Sequence, residues 1–573
     1  MSVAATVLIA FLSIIVPGFA LAYALLGKTK LRLFEIVVIG FIFGLIFPPA
    51  LTWFESYFMD YIHAFTFSAG LFEANVVALT VIGIAIAGYE GLGLGISAKA
   101  KETYKEMSKE ERKAEIKEVR DKIKALGLDM MLIREHEREE EELERKHAEE
   151  LGRLAVEAGP EEKAKIMQLH EAAEKKLLEE HEREEKLLLE GKQAAQPQTK
   201  QSMSFVWIML SLLMLLTFAT RIINISKAPT YFEFDPYFDM LSTESILVNG
   251  YQYLHDYSAW PVLVNGSAHR MEPLIPYLEA YWYSISNPPK SAISTTLLSY
   301  VSSFYPPIVA ALLVFVIFMF VYYEFGTKPA LFAATLTASM SVLVTTFIAG
   351  EQLLEPWGIF SMFFFYAAYL LAINNKGEWR FAVLAGIAFV STFLGAHYYT
   401  VDAGVLALYI LFQGVLDVLR KKEMKQFYKM NAIVIGIIAV GYALFDPYKS
   451  SLYHRIPSIA GIPVIVSFPL LAIVIVALLE YVPKLLHRKR IVQTLSNALY
   501  YEWLAVLLVA AVLLIFLTPL GKPVKSYISL SLRFTTPSIP LFMTVQEFEP
   551  TGLGFDFAGA GFGFIGINGV VWI

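Results

Sequence analysis

Long apolar stretches separated by short polar segments make up most of the chain, and this alternation predicts membrane-spanning helices. A helix needs about 20 mainly apolar residues to cross the hydrocarbon core of a bilayer. Stretches of suitable length cover 3–26, 33–52, 75–97, 204–222, 304–323, 329–349, 356–373, 381–396, 401–418, 430–447, 458–481 and 500–519, and a further one begins near Ala558. The pattern therefore predicts an all-α polytopic membrane protein with about 12 to 13 transmembrane helices.

Composition agrees with this class and excludes several kinds of site. The chain has 573 residues, is 56% hydrophobic and has a mean hydropathy of +0.53, which is too apolar for one soluble domain. Cysteine is absent, so disulfides, Cys-ligated zinc and thiol nucleophiles are excluded. The net charge of −6 is dominated by one soluble insertion and does not argue for a nucleic-acid partner.

Basic residues orient the predicted spans, because they cluster in alternate loops and cytoplasmic loops are enriched in Lys and Arg. The clusters are Lys28/Lys30/Arg32, Lys376/Arg380, Arg420/Lys421/Lys422/Lys425 and Lys484/Arg488/Lys489/Arg490. Counting outward from them, the segments 223–300, 350–355, 397–400, 448–457 and 521–557 are predicted to be extracytoplasmic. We therefore expect a multi-pass protein of the cell membrane whose functional site faces the extracytoplasmic side.

A charged insertion interrupts the apolar pattern and divides the chain into three parts. Residues 1–98 form a three-helix membrane segment, 99–201 a charged insertion with a short linker, and 202–573 a second transmembrane domain. The insertion is rich in Glu, Lys and Arg, and its Leu and Ala recur at helical spacing. It is predicted to be a cytoplasmic helical hairpin over 100–195, a solvated coiled-coil arm that turns at Gly159-Pro160. Binding of a cytoplasmic partner by this hairpin is the alternative.

Four histidines of this hairpin lie among Glu and Arg residues. They are His136, His147, His170 and His181. The charged surroundings predict solvated surface positions for all four.

Two acidic motifs about three hundred residues apart are predicted to lie on the same face of the membrane. Asp235 follows a span in the segment 232–237, and Glu547 lies in the late external loop 521–557. Carboxylates that converge on one face would repel each other unless a cation neutralised them. This arrangement is typical of a metal site at the membrane surface.

These motifs resemble those of the catalytic subunit of oligosaccharyltransferase, in particular its archaeal single-subunit form. The resemblance rests on Phe234-Asp235-Pro236-Tyr237-Phe238, Ala259-Trp260-Pro261, Pro273-Leu274-Ile275-Pro276-Tyr277 and Thr544-Val545-Gln546-Glu547-Phe548-Glu549-Pro550-Thr551. It covers about 205–573 and leaves out the first three spans and the hairpin. It implies a fold of the GT-C glycosyltransferase superfamily.

The resemblance also implies an activity: transfer of an oligosaccharide from a lipid-linked phosphate or pyrophosphate, such as a dolichyl carrier, to the Asn side chain of Asn-X-Ser/Thr sequons. The family binds Mn²⁺ or Mg²⁺ through a first-loop Asp, a second acidic motif and a late-loop Glu, here Asp235 and Glu547 for the first and last. Membrane lipids, the lipid-linked donor and an acceptor protein are the implied partners. Because an amide nitrogen is a poor nucleophile, carboxylates that accept its hydrogens would assist the reaction, and Asp235 and Glu547 are the catalytic candidates.

The middle acidic motif departs from the family pattern. Leu353 stands where the family usually has an Asp, two positions before Glu355. Glu351 is four residues before Glu355, so the two would share one face of a helical turn and both become candidate metal ligands.

The basic or imidazole groups expected to assist the leaving phosphate are Arg270, His397, Lys525 and Arg533.

Three alternatives to this function remain open at this stage. A different GT-C enzyme that adds one sugar from a lipid phosphate would not need the late Thr-Val-Gln-Glu segment. A transporter predicts ionisable residues at mid-membrane depth or an internal repeat, and a membrane scaffold would explain the hairpin alone.

The last apolar run ends at Ile573 without a polar flank, so we expect a chain truncated before a soluble C-terminal domain that carries a Trp-Trp-Asp-Tyr-Gly motif.

Overall fold

The structure, a computed structural model, describes the helical regions of the chain. The described residues are 3–60, 65–92, 203–223, 225, 235–252, 255–256, 267–268, 272–286, 288, 292–350, 354–375, 378–396, 398–420, 422–449, 458–459 and 462–488, with Leu143, His147, His170 and His181 of the insertion. The predicted span 500–519, the late loop 521–557 and the run after Ala558 lie outside them.

Fifteen helices and two short hairpins make up the described part of the chain. The helices are α1 Val3–Leu26, α2 Leu33–Asp60, α3 Ala69–Tyr89, α4 Met203–Ile222, α5 Asp235–Asn249, α6 Leu274–Ile285, α7 Thr295–Ser302, α8 Tyr305–Phe325, α9 Thr327–Ser339, α10 Ser341–Thr346, α11 Glu355–Asn374, α12 Trp379–Gly395, α13 Tyr399–Leu419, α14 Lys425–Lys449 and α15 Val464–Arg488. Strand β1 His255–Asp256 pairs antiparallel with β2 Ser267–Ala268, and β3 Ser458–Ile459 pairs antiparallel with β4 Ile462–Pro463.

Within the described residues, nine helical segments are long and apolar enough to cross a membrane. They are Ala5–Leu26, Leu33–Ser56, Ala69–Tyr89, Phe205–Ile222, Thr295–Phe325, Glu355–Asn374, Tyr399–Leu419, Lys425–Leu444 and Val464–Tyr481. This confirms the predicted class, an all-α polytopic membrane protein. The third span begins earlier than predicted, because Ser68 caps it by accepting a hydrogen bond from the Leu71 amide at 3.1 Å.

The prediction of one continuous span over 329–349 is wrong. The structure has two helices here, α9 and α10, separated by Met340 in an extended conformation. The Arg221 side chain, at the end of α4, donates a hydrogen bond through Nη2 to the Ala338 carbonyl at 3.2 Å. In a continuous helix that carbonyl would accept a hydrogen bond from an amide in the next turn. Here Arg221, which is distant in sequence, supplies the hydrogen bond instead, and this stabilises the interruption at Met340.

Helix α6 lies inside the protein, whereas its aromatic sequence predicts a helix along the membrane surface. All of its residues except Ser284 are buried. The N-terminal helices provide the covering: the Phe72 and Tyr281 rings stack at 4.0 Å, and Phe67 meets Tyr277 edge to face at 5.9 Å. Aromatic pairs in these arrangements add stability beyond the burial of their surface.

Contacts between loops agree with the alternation predicted from the basic clusters. We call the end of the helices that holds Lys28, Glu90 and Arg380 the cytoplasmic end, after its predicted side. There Glu90 accepts from Lys28 at 2.5 Å and from Arg380 at 3.0 Å.

The opposite end is called the external end, again after its predicted side. There the Phe67 amide donates to the Gly250 carbonyl at 2.6 Å, and the Ala349 amide donates to the Arg221 carbonyl at 3.0 Å. Each contact joins chain segments at helix ends that the alternation of the predicted spans puts on the same side of the membrane.

Residues 93–205 form a compact unit separate from the rest of the chain. Its described residues, which are Leu143, His147, His170, His181 and 203–205, are helical, and the rings of His147 and His170 stack at a centroid distance of 3.9 Å with an interplanar angle of 5°. His181 is only 3% exposed. The expectation of a solvated surface position is therefore wrong for His181, while His147 and His170 are partly buried.

Candidate active site

Helix α5 begins at Asp235, in the motif that the sequence singles out. Pro236 occupies the first turn, where its missing amide hydrogen costs little, and a carboxylate at a helix start is favoured by the helix dipole. Asp239 follows four residues later and is partly buried. Positions four apart share one helix face, so α5 carries two acidic positions on the same side.

Helix α11 begins with a similar pair, Glu355-Pro356, and its first turn is anchored by two hydrogen bonds. The Trp357 amide donates to the Tyr305 hydroxyl at 2.9 Å, which satisfies one of the amides that a helix start leaves without an intrahelical partner. The Trp357 indole donates to the Ser391 carbonyl, also at 2.9 Å. These bonds fix the place of Glu355, which is exposed at the first position of the helix.

Two glycines allow the aromatic rings around α11 to approach closely. A Cβ at Gly395 would lie 2.2 Å from Trp357 Cδ1, and one at Gly358 would lie 2.2 Å from Tyr398 Cδ2. Both distances are far below van der Waals contact, so any larger residue would displace a ring. Glycine at these positions therefore sets the spacing of α11, α12 and the start of α13.

Carboxylates from three helices lie near Tyr305, at the start of α8. Asp239 of α5, Glu279 of α6 and Glu355 of α11 lie near enough for their charges to act on its phenol. The structure thus brings the helix that starts at Asp235 to the same place as the middle acidic motif. Sequence reasoning predicted a common face for these motifs but missed Asp239 and Glu279.

Glu279 plays a different part from the other two acids. It is only 1% exposed, and the Thr243 hydroxyl donates to its Oε2 at 3.0 Å. Burial disfavours the charged form and raises the pKa of Glu279 to about 8. At neutral pH it is therefore mainly a protonated, hydrogen-bonded acid, which makes it a poor ligand for a cation.

Glu355 also acts on Tyr398, which packs against Gly358. Burial, and then the nearby Glu355 charge, raise the pKa of Tyr398. The phenol therefore stays protonated and able to donate a hydrogen bond. The outer part of the cluster thus combines the accessible Glu355 carboxylate with aromatic hydroxyl groups.

Most of the predicted site residues lie outside the described part of the chain. These are Arg270, Glu351, His397, Lys525, Arg533 and Glu547. Helix α11 begins at Glu355, so the helical turn predicted to join Glu351 with Glu355 is not part of the described helix. Among the described residues, no group of three or more His, Asp or Glu side chains comes together closely enough to hold a metal ion.

Comparison with known proteins gives structural neighbours only, since neither a protein-family model nor a curated protein sequence matches the chain. The chain is similar to archaeal oligosaccharyltransferase AglB from Archaeoglobus fulgidus in complex with an inhibitory peptide and a dolichol-phosphate (TM-score 0.48, 17% identity, 65% of this chain and 45% of that chain). The apo form of the Archaeoglobus fulgidus oligosaccharyltransferase gives 0.48 at 16% identity, with the same coverage. Its complex with Zn and sulfate gives 0.43 at 18% identity, covering 55% of this chain and 40% of that chain.

The chain spans less than half the length of each of these neighbours. The activity, substrates and partners of a whole enzyme are therefore taken up below as proposals.

Proposed function

We propose that this chain is the membrane part of an oligosaccharyltransferase, which transfers a glycan from a lipid-linked phosphate or pyrophosphate to Asn in Asn-X-Ser/Thr sequons. One observation carries the proposal: Asp239, one turn into the helix that starts at Asp235-Pro236, and Glu355, at the start of α11, both lie near enough to Tyr305 for their charges to act on its phenol. The sequence motifs independently resemble that family. On this proposal, the external end faces the extracytoplasmic side.

A hard divalent cation, Mn²⁺ or Mg²⁺, fits the donor chemistry at this end. The candidate ligands Asp235, Glu351, Glu355 and Glu547 all carry carboxylates, and Asp239 adds a fifth at the same end. Oxygen donors are the ligands that these ions prefer. A bound cation would neutralise charge on the lipid phosphate as it leaves.

The carboxylates would also bind the side-chain amide of the acceptor Asn. Asp235 and Glu547 would accept the hydrogens of the Asn amide and so hold its nitrogen towards the sugar carbon that is attacked. Arg270, His397, Lys525 and Arg533 would bind the lipid phosphate through charge-assisted hydrogen bonds. These roles stay predictions from the sequence.

The placement of charge favours an enzyme over a transporter. In the nine described spans and in α12, every Asp, Glu, Lys and Arg lies within the first or last five residues. A transporter that binds ions at mid-membrane depth would carry ionisable groups farther from the helix ends. Charged residues near the helix ends fit an enzyme better, because its lipid-linked donor and its acceptor protein would reach the external end from the membrane and from solution.

The experiment that tests the proposal uses the full-length product of the gene, purified in detergent. It is incubated with Mn²⁺, a lipid-linked oligosaccharide extract and a peptide that contains Asn-X-Thr. We expect a glycopeptide by mass spectrometry from this peptide, and none from a matched Gln-X-Thr peptide or after chelation. Asp235→Ala should abolish the product, whereas Glu423→Ala, an exposed carboxylate between α13 and α14, should not.

Two outcomes would contradict the proposal. Transfer of a single sugar from a dolichyl-phosphate sugar to a lipid acceptor, with no glycopeptide, would assign the chain to the other GT-C class. Equal activity in Asp235→Ala and the parent protein would remove the first acidic motif from the reaction.

A further inference from the structure

A cavity of about 500 Å³ lies at the cytoplasmic end, between the start of α14, the loop before it and the last part of α15. Lys422, Glu423, Lys425, Tyr428, Glu480 and Tyr481 are among the residues that line it. The loop between α13 and α14 belongs to a basic cluster that the sequence assigns to the cytoplasmic side. The proposed reaction uses none of these residues.

Three of the lining residues combine a carboxylate with two aromatic rings. The Tyr428 hydroxyl donates a hydrogen bond to Glu480 Oε2 at 2.7 Å, and this bond fixes the carboxylate. The ring centroids of Tyr428 and Tyr481 lie 6.5 Å apart, with an interplanar angle of 26°. A carboxylate attracts a cation by its charge, and the faces of aromatic rings attract one through their quadrupole. This group of residues is therefore suited to bind a small ammonium group.

Two lysines bring the opposite charge to the same cavity. Lys422 Nζ lies 3.0 Å from Oδ1 of the buried Asp417, so the Asp417 carboxylate holds the Lys422 side chain in place. An ammonium group has three hydrogens, and Lys422 therefore keeps donors for a second acceptor. Lys425 is exposed and makes no ion pair with the residues that the structure describes. Basic pockets between helices on the cytoplasmic side of a membrane are suited to phosphate headgroups.

An exposed apolar stripe on α15 leads to the cavity from the membrane. Leu471, Val474, Leu478 and Tyr481 are each between 45% and 57% exposed. Their spacings of three, four and three residues place them on one face of the helix. All four lie in the span Val464–Tyr481, so this face runs along the hydrocarbon core and ends at the cavity. This continuity favours a ligand with a polar head and apolar tails over a soluble phosphate compound.

We propose that this cavity binds a membrane phospholipid whose headgroup carries an amine, of the phosphatidylethanolamine class. Lys422 and Lys425 bind its phosphate, and Glu480 with the two tyrosine rings binds its ammonium group. Both contacts are charge-assisted, and such hydrogen bonds are stronger than neutral ones. A headgroup with a phosphate but no amine would place its charge near Glu480 and be repelled, so the site selects the zwitterion.

The test measures lipid binding to the full chain by native mass spectrometry from detergent. The probes are dioleoyl-phosphatidylethanolamine and dioleoyl-phosphatidylglycerol, and we expect the parent protein to bind the first more tightly. Lys425→Gln should weaken binding of both lipids about ten-fold, as loss of a hydrogen bond between charged groups does. Glu480→Gln should remove the preference for ethanolamine while phosphatidylglycerol still binds, which also shows that this variant is folded.

Glu423→Ala is the matched control for the carboxylate. Glu423 also lines the cavity, but it is exposed and has no tyrosine donor among the described residues, so this variant should keep the preference of the parent. Equal binding of the two lipids by the parent would overturn the proposal, as would an unchanged preference in Glu480→Gln.

Soluble glycerophosphoethanolamine separates the headgroup from the lipid. It has the same phosphate and amine but lacks acyl chains, so it should displace phosphatidylethanolamine only at a much higher concentration. Displacement at the same concentration as the lipid itself would overturn the assignment to a membrane lipid. The cavity and the candidate active site lie at opposite ends of the helices, so these results bear on the cavity alone.

Discussion

The two ends of the helical bundle use carboxylates in opposite ways. At the cytoplasmic end, Glu90 lies between Lys28 and Arg380, and the hydrogen bond from Lys28 holds the pKa of Glu90 below its ordinary range. At the external end, three carboxylates act together on one phenol, Tyr305. A carboxylate between two cations is stabilised in its charged form, whereas carboxylates that lie near one another favour the binding of a proton or a cation.

Within the external cluster, the structure indicates which acid binds a proton. Glu279 is buried against Thr243 and has the raised pKa, while Glu355 is exposed. A buried acid relieves repulsion by staying neutral, and an exposed one can reach a cation from outside. The acids of this cluster therefore differ: Glu279 is buried and mainly protonated at neutral pH, whereas Glu355 is exposed and available to bind a cation.

The largest effect should come from removing the middle acidic motif. We expect the Glu351→Ala/Glu355→Ala double variant to lose about 100-fold or more of glycan transfer, since both carboxylates are candidate ligands of the cation. Each single variant should raise the Mn²⁺ concentration needed for half-maximal rate. Full activity of the double variant, measured beside Glu423→Ala, would remove this motif from the metal site.

A pH-dependent change in stability should follow from Glu279→Gln. Between its ordinary pKa of 4.5 and the folded value of about 8, the folded protein keeps a proton that the unfolded chain loses. Stability of the parent should therefore fall as pH rises through this range and level off above it, by on the order of a few kcal/mol. The Gln variant should lack this decline in its unfolding temperature; parallel curves from pH 5 to pH 9 would show that Glu279 is not the group responsible.

A steric change at the start of α11 should cost less. Gly395→Ala places a methyl group against the buried Trp357 ring, which is also tied to Ser391. Overpacking of this kind costs about 1–3 kcal/mol, and displacement of Trp357 should lower transfer through the position of Glu355. Gly404→Ala is the matched control, because a Cβ there has no neighbour within 4 Å. Equal unfolding temperatures for both variants would show that the ring can move freely.

The smallest effect is expected at the cytoplasmic end. Glu90→Ala removes both ion pairs, but they are partly exposed and screened by salt, so the unfolding temperature should fall slightly at low salt and hardly at all at high salt. Because the folded pKa is lowered, any contribution of Glu90 should be present at neutral pH and disappear on acidification. A loss of glycan transfer in this variant would contradict the division between the two ends.

The elements that the sequence predicts well are those whose signal is local. Spans such as Val3–Leu26 and Glu355–Asn374 need only an apolar run, and the start of α5 is marked by Asp235-Pro236. The break at Met340 was missed because the Ala338 carbonyl before it accepts from Arg221, which lies 117 residues earlier in the chain than Ala338. The burial of α6 was missed for the same reason, since Phe67 and Phe72 cover it from another part of the chain.

The residues of the candidate site also divide into those with a local sequence signal and those whose contacts come from distant parts of the chain. Asp239 could have been found from its four-residue spacing to Asp235, a local signal. Glu279 lies in an otherwise apolar helix, and the Thr243 hydroxyl that accompanies it comes from α5. The contact of His147 with His170 depends on a hairpin register that one helix alone does not specify.

The hydrogen bond between the Phe67 amide and the Gly250 carbonyl limits how far the N-terminus of this protein can be truncated without loss of a contact to α5. Gly250 has a φ of +81°, and a Cβ there would lie 2.5 Å from Thr66 Cβ, so the loop before α3 closes directly onto the end of the helix that begins at Asp235. Although the family resemblance starts only near residue 205, the first three helices and the loop before α3 cover α6 and contact the end of α5. A chain that began at Met203 would leave the Tyr277 and Tyr281 face of α6 uncovered and would lack the hydrogen bond that joins Phe67 to Gly250.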